Sequence, residues 1–258
     1  MFFTCLRFLA AAGFLFFVPR PAVPWPKLVA LGLLLGAGQY GFLFLAMTHG
    51  ISAALASLLI HSQAFFTIVI AMLVYQERLR RYQLAAMALA LAGLGCLVVN
   101  RAEAGSFAGL LFVLLGALSG ACGNNLLKSL GRVQMLGVAV WMSLAVPLPL
   151  FFLSLIFESG GAPLRLSESI SWTTLAAVAY SAVVATLLCF AIWGRLLVTY
   201  SAAKVMPFFL LVPVFGIILS VRLLGETLSG LQIAGCVLIF AGLALALLPG
   251  REAGRESL

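Results

Sequence analysis

Residues 28–47 read LVALGLLLGAGQYGFLFLAM, a run of 20 residues that contains no charged side chain. A helix of about 20 apolar residues is long enough to cross the roughly 30 Å hydrocarbon core of a bilayer. The run is continuous, whereas the strands of outer-membrane barrels alternate apolar and polar residues. Similar runs fill the whole chain of 258 residues, which is 64% hydrophobic and 9% charged. Because soluble domains carry about 25% charged residues, these features exclude a soluble globular protein and predict an all-α, polytopic membrane protein.

Nine apolar segments are long enough, or nearly so, to span the bilayer. They cover residues 3–18, 28–47, 52–75, 82–99, 106–127, 135–157, 171–197, 201–224 and 230–248. The first segment is the weakest, because Arg7 interrupts it and four prolines follow it. A cleaved signal peptide is the alternative for this segment, but the basic region that begins a signal peptide is missing.

The basic residues lie mainly on one side of the predicted membrane. Eleven Lys and Arg residues fall on the side that holds the C-terminus, three fall on the other side, and Arg7 lies in the first span. Because cytoplasmic loops carry the excess of Lys and Arg, we expect a cytoplasmic C-terminus and a location in the inner (plasma) membrane. The net charge of +8 reflects these loops and indicates no nucleic-acid partner. The five cysteines form no C-x-x-C pair, so neither a metal site nor a cofactor is expected.

The two halves of the chain resemble each other at a shift of 149 residues, which carries Glu77 onto Glu226. Both stretches read Glu-x-Leu-x3-Gln and continue to an Ala-Gly-Leu. Five predicted spans separate equivalent positions, and because five is odd the two copies point in opposite directions. We therefore expect two inverted five-helix repeats at 1–100 and 101–249, as in many secondary transporters, and a cytoplasmic tail at 250–258. The first copy holds only four spans, so its first helix is expected to be missing from this sequence.

Several motifs resemble those of the EamA-type branch of the drug/metabolite transporter superfamily. They are LASL at 55–58, QAFFT at 63–67, ERL at 77–79, ACGN at 121–124, IWG at 192–194, LLVPV at 210–214 and GLQ at 230–232. The resemblance covers nearly the whole chain and implies a ten-helix inner-membrane fold of two inverted halves. It also implies export of small amino-acid metabolites such as cysteine or O-acetylserine. The alternatives are export of an unrelated small metabolite or drug, and a truncated membrane protein that transports nothing.

Polar side chains inside hydrocarbon are costly, which makes each of them a candidate for substrate binding, although many only join neighbouring helices. The expected substrate-binding residues are Gln39, Gln63, Thr67, Asn124 and Trp193. For Gln39 and Asn124, a bond between two helices is an equally good interpretation. Trp193 also suits an anchor at the membrane interface.

Helical spacing predicts two smooth faces beside these amides. Gln39 is expected to share one face with Gly32 and Gly36. Asn124 is expected beside a second face, with Asn125 turned away from it; this face consists of Gly109, Gly116, Gly120 and Gly123.

Other residues near the predicted midplane suggest helix distortion or proton coupling. His61 precedes Gln63 by two residues, about 200° around a helix, so the two are not expected to face one cavity without a distortion. Its ordinary pKa suits proton coupling, but a structural role is favoured. Pro207 and Pro213 are expected to kink the eighth span and to free carbonyls for an ammonium group, unless they only bend the helix. Arg7, if buried, is placed to meet a substrate carboxylate, although an interfacial position is favoured.

The acidic residues argue against buried acid chemistry. All seven are Glu, and all lie in loops or at span ends, where helix capping explains the repeated Glu77 and Glu226. The sequence also lacks H-E-x-x-H and G-x-S-x-G motifs, so we do not expect an enzyme. The expected partners are a small-molecule substrate and the lipid bilayer. The sequence leaves the oligomeric state open, because glycine faces serve internal packing as readily as dimerisation.

Overall fold

The computed structural model describes residues 1–76, 81–99, 106–157, 171–224 and 229–246. Glu77, Glu226 and the tail at 250–258 lie outside these residues. The described residues form nine helices, and none of them forms a strand. The helices are α1 (Phe2–Phe16), α2 (Trp25–Thr48), α3 (53–75), α4 (Arg81–Val99), α5 (Phe107–Lys128), α6 (Met135–Phe157), α7 (Trp172–Thr199), α8 (202–224) and α9 (Gly230–Ala246).

These helices occupy the positions of the nine predicted spans, which confirms the all-α membrane class. Five segments are long and apolar enough to cross a bilayer: Trp25–Thr48, Leu55–Tyr75, Phe107–Lys128, Met135–Phe157 and Trp172–Thr199. Large apolar side chains cover the outside of the bundle, and Trp172 is 87% exposed. Such a surface is unfavourable in water and is matched by lipid.

Several helices change their winding, and the changes in α2 and α3 recur in α7 and α8 at the shift of 149 residues. Wide π turns occupy Gly32–Gly38 in α2 and Ser181–Leu188 in α7. A tight 3₁₀ turn at Ile60–Ser62 interrupts α3, and α8 is interrupted at Leu210, between Ala202–Phe209 and Leu211–Leu224. Equivalent helices of the two halves therefore deviate from regular geometry at equivalent positions.

Side chains satisfy backbone carbonyls at the two π turns. The hydroxyl of Ser119 on α5 donates to the carbonyl of Leu34, at 2.8 Å. The hydroxyl of Thr186 donates to the carbonyl of Ser181 in its own helix, at 2.9 Å. Because lipid offers no hydrogen-bond partner to such groups, these bonds allow the wide turns to persist inside a membrane.

Helices α4 and α9 cross at two glycines that are equivalent at the shift of 149 residues. A Cβ placed on Gly93 would lie 2.7 Å from the carbonyl oxygen of Gly235 and 2.9 Å from the side chain of Ile239. A Cβ on Gly242 would lie 2.8 Å from the carbonyl oxygen of Ala86 and 3.1 Å from the amide of Ala90. Gly235 and Ile239 are the positions equivalent to Ala86 and Ala90 at this shift, so the two glycines contact equivalent residues. This reciprocity is the pattern of contacts about a two-fold axis.

The glycine face predicted on α5 is confirmed. Each glycine of this face contacts α2, the loop that follows α2, or α3. The four glycines are Gly109, Gly116, Gly120 and Gly123. The predicted common face of Gly32, Gly36 and Gln39 is wrong. Gly32 and Gly36 lie against α6, at Met142 and Val146, whereas Gln39 faces α5. The reason is the π turn, which is wider than an α turn and rotates Gln39 away from the two glycines.

The α4–α9 crossing predicts a difference between two glycines on the same helix. We expect Gly93→Ala to destabilise the protein by about 1–3 kcal/mol, because its Cβ meets backbone atoms that cannot move aside easily. Gly242→Ala should have an effect of the same size. Gly95→Ala is the matched control, since a Cβ there meets nothing within 4 Å. The measurement is the apparent unfolding temperature in detergent, and equal temperatures for Gly93→Ala and Gly95→Ala would contradict the crossing.

Candidate functional site

A cavity of about 240 Å³ lies between α2, α3, α5, α7 and α8. It is lined by Leu35, Gln39, Tyr40, Gln63, Asn124, Ala185, Cys189, Phe190, Trp193 and Phe209. Four of the five expected substrate-binding residues therefore meet in one place. Drug-sized ligands occupy pockets of about 300–1,000 Å³, so this cavity suits a smaller ligand.

The irregular turns place the wall of the cavity. Gln39 and Tyr40 directly follow the π turn of α2, and Cys189 and Phe190 directly follow the π turn of α7. Gln63 directly follows the 3₁₀ turn of α3. In each helix the change in winding thus turns the next residues towards the centre of the bundle. The wall is closed at Gln63 and Asn124, which are both 3% exposed.

A chain of hydrogen bonds fixes the amide of Asn124. The indole N–H of Trp193 donates to its Oδ1 at 3.1 Å, and its Nδ2 donates to the hydroxyl of Thr67 at 3.3 Å. The Thr67 hydroxyl in turn donates to the carbonyl of Gln63 at 2.7 Å. Because that hydroxyl uses its only proton on Gln63, it accepts from Asn124, which sets the orientation of the amide. Asn124 therefore joins α3, α5 and α7, and one N–H and one lone pair of its amide remain for a ligand.

Two glutamine side chains converge on α5 from α2 and α3. The position that a Cβ on Gly120 would take lies 2.8 Å from Oε1 of Gln39 and closer still to Oε1 of Gln63. Only a glycine leaves room for both carboxamides at this point. Oε1 of Gln63 is buried and has no hydrogen-bond partner among the residues that the structure describes. Two carbonyl oxygens that converge in this way are suited to accept hydrogen bonds from an ammonium group or a hydroxyl.

Thr67 and His61 lie behind the cavity wall. Thr67 is 1% exposed and contacts Asn124, so its part is to position that amide. His61 is buried, with Nδ1 at 2.5 Å from the carbonyl oxygen of Ser57. The centroid of its ring lies 4.9 Å from that of Phe209. Phe209 lines the cavity and separates His61 from it. The 3₁₀ turn thus distorts α3 at His61, and still only Gln63 reaches the wall.

Pro207 and Pro213 flank the interruption of α8 at Leu210. Both are buried, and neither lines the cavity. Phe209, which lies between the two prolines, does line the cavity. Its ring packs against that of Trp193, with 5.5 Å between the ring centroids. The structure thus places the interruption of α8 where the sequence predicts a kink, next to the cavity.

The structure also places residues that the sequence analysis missed. Asn125 does not line the cavity, but it is buried, and its Nδ2 donates to the carbonyls of Ala121 and Thr67. Tyr40 and Cys189 line the cavity and are equivalent at the shift of 149 residues. The internal repeat relates these two positions and so could have predicted that both line the cavity. Nothing in the sequence marks Phe209 as a wall residue, because aromatic residues are common in every span.

The hydrogen-bond chain predicts a loss of stability in Thr67→Val, which keeps the shape and removes the hydroxyl. Asn124 then loses an acceptor in a buried place, and we expect a destabilisation of about 0.5–2 kcal/mol. Thr199→Val is the matched control, because the Thr199 hydroxyl is exposed and bonds only the carbonyl of Arg195 in its own helix. Unfolding temperatures in detergent measure both effects. A loss that is as large in Thr199→Val as in Thr67→Val would show that the chain of bonds contributes nothing.

Comparison with known proteins supplies the family. The sequence profile of the EamA-like transporter family matches residues 1–99 and 104–248. A solved crystal structure superimposes with a TM-score of 0.78 over 96% of this chain and 88% of the other. At 21% sequence identity this likeness shows the fold alone.

Two curated relatives are each named "Probable amino-acid metabolite efflux pump". The one from Salmonella typhimurium is 42% identical over 247 residues, and the one from Escherichia coli is 39% identical over 245 residues. Both alignments cover 92% of this chain and 82% of the relative. The profile match, the two relatives and the bundle of apolar helices agree, and the chain belongs to the EamA-like transporter family.

Proposed function

We propose that this chain exports small amino-acid metabolites, with cysteine and O-acetylserine as the first substrates to test. The observation that carries the proposal is the small cavity at which the amides of Gln39, Gln63 and Asn124 meet the indole of Trp193. Two relatives named as efflux pumps for such compounds support it. An amino acid is small enough for a cavity of about 240 Å³ and rich enough in polar groups to use these amides.

The arrangement of the amides suggests how an amino acid binds. The side-chain oxygens of Gln39 and Gln63 accept hydrogen bonds from its ammonium group. The free N–H of Asn124 and the rings of Trp193 and Phe209 contact the rest of the molecule. Neutral amides suit this task, since they pair with a charged substrate and leave no net charge in the membrane when the substrate departs.

Alternating access follows from the two inverted repeats, which we assign to residues 1–100 and 101–249. The shared positions of the π turns and the reciprocal glycines of α4 and α9 support this assignment. In transporters of this type the substrate site lies between the repeats, and one repeat rocks against the other. We place the protein in the inner (plasma) membrane with a cytoplasmic C-terminus, on the distribution of Lys and Arg.

The first experiment measures export from cells that lack their own exporters of cysteine and O-acetylserine. Expression of the chain should raise the extracellular concentration of one or both compounds. Gln63→Leu should reduce this export about tenfold, because a hydrogen bond to a charged group is lost. Gln134→Leu is the control, since Gln134 is exposed and lies outside the cavity.

The opposite result is also informative. If expression of the chain in the membrane raises neither compound, export of cysteine and O-acetylserine is wrong. Export of an unrelated metabolite or drug, or a protein that transports nothing, would then remain.

We also propose that His61 is structural and carries no transported proton. Its ring forms a hydrogen bond with the carbonyl oxygen of Ser57 and packs against Phe209, behind the cavity wall. In vesicles, His61→Gln should therefore keep any stimulation of transport by a pH gradient, as His49→Gln should. Loss of that stimulation in His61→Gln alone would assign the proton to His61.

A further inference from the structure

Arg7 brings a positive charge into the bundle beside the cavity. Its guanidinium lies over the rings of Phe8 and Tyr40, with Cζ at 4.7 Å and 4.6 Å from their centroids. Phe8 is fully buried, and Tyr40 lines the cavity. Helix α1 packs against α6 and against the π turn of α7, which supplies Ala185 to the cavity wall. Arg7 is therefore half-buried, and its guanidinium packs on a ring of the cavity wall.

Two nitrogen atoms of the Arg7 guanidinium have no partner within the described part of the chain. Nε and Nη2 are buried and make no hydrogen bond to any described residue. None of the described residues is an Asp or a Glu, so no carboxylate in this part of the chain pairs with the guanidinium. The two aromatic rings offset part of the cost of a buried charge, but they leave the N–H groups unsatisfied. Arg7 as a whole is half-buried, and a cation inside a membrane protein that keeps buried, unused donors is a candidate to bind an anion.

Arg20 shows how a basic residue in this chain is satisfied without such a function. It also lies over an aromatic ring, that of Trp25, at 4.6 Å. However, it is exposed, and its Nη2 donates to the carbonyl of Val23 at 3.2 Å. The difference between the two arginines is thus burial and unused donors, not the aromatic contact.

We propose that Arg7 binds the carboxylate of the transported amino acid, an inference that rests on the proposed function. A guanidinium presents two parallel N–H groups that match the two oxygens of a carboxylate. Without substrate, the guanidinium of Arg7 lies over the rings of Phe8 and Tyr40. When substrate binds, the guanidinium moves past Tyr40 into the cavity and pairs with the carboxylate. Gln39 and Gln63 hold the ammonium group at the other end of the molecule. The cavity then selects α-amino acids over amines of the same size.

The test compares two substrates that differ only in the charged end. Purified protein in liposomes transports cysteine, or cysteinamide, in which a neutral amide replaces the carboxylate. For the wild-type chain the KM for cysteinamide should exceed the KM for cysteine about tenfold or more, as expected for a pair between charged groups. Arg7→Gln should raise the KM for cysteine to that level and leave the KM for cysteinamide unchanged.

Two further variants complete the design. Arg7→Lys keeps the charge but not the fork of donors, and should fall between the wild type and Arg7→Gln. Arg20→Gln is the matched control and should change neither KM. If Arg7→Gln fails to insert, Arg7→Lys decides: a higher KM for cysteine with an unchanged KM for cysteinamide supports the role of Arg7, and unchanged KM values for both overturn it.

Each outcome bears on a different statement. Equal KM values for the two substrates in the wild type, or an equal rise for both in Arg7→Gln, would overturn the role of Arg7 and leave amino-acid transport in place. A wild-type protein that transports neither substrate would overturn the proposed function, and the role of Arg7 with it.

Discussion

Hydrocarbon gives no hydrogen-bond partner to a backbone carbonyl, and this constraint governs the centre of the protein. A helix in a membrane departs from regular winding only where other groups of the protein compensate. The wide turns in α2 and α7 and the interruptions in α3 and α8 all adjoin the cavity, whereas the 3₁₀ turns at Gly13–Phe16 in α1 and Ser143–Ala145 in α6 do not line it. Ser119 and Thr186 satisfy the carbonyls at the wide turns. The irregular backbone of α2, α3 and α8 thus turns Gln39, Gln63 and Phe209 inwards.

Close packing of small residues holds this centre together. Since lipid is as apolar as leucine, helices in a membrane associate through tight van der Waals contact and hydrogen bonds. The glycine face of α5 lets α2 and α3 approach until the carboxamides of Gln39 and Gln63 meet over Gly120. At the far side, Gly93 and Gly242 bring α4 and α9 into contact at their backbones. The two regions differ in polarity: the contacts of α5 surround polar groups and a cavity, whereas the contact of α4 with α9 is made by glycine and apolar residues.

The sequence predicted more of the bundle than of its local geometry. Hydropathy located all nine helices, and helical spacing found the glycine face of α5, because both depend on regular winding. The common face of Gly32, Gly36 and Gln39 failed because a π turn has no clear signature in a run of glycine and leucine. The burial of Asn125 was not predicted, because helical spacing describes one helix, while this burial depends on how α3 covers both asparagines. The sequence also predicted one cavity for Gln39, Gln63, Asn124 and Trp193, but the irregular turns that place its wall are visible only in the structure.

In the proposed scheme, the charges of the cavity allow a bound amino acid to dissociate. A fixed pair of opposite charges at the site would hold an amino acid tightly. When that amino acid left, the two charges would remain unpaired in a medium of low dielectric constant. Amides that take the ammonium group avoid this cost. In the proposed scheme Arg7 avoids it as well, because the guanidinium returns to the rings of Phe8 and Tyr40 when the carboxylate leaves. The aromatic rings then make the empty state less costly, and a less costly empty state lets the substrate dissociate. Such a balance suits a transporter, which must release each molecule that it binds.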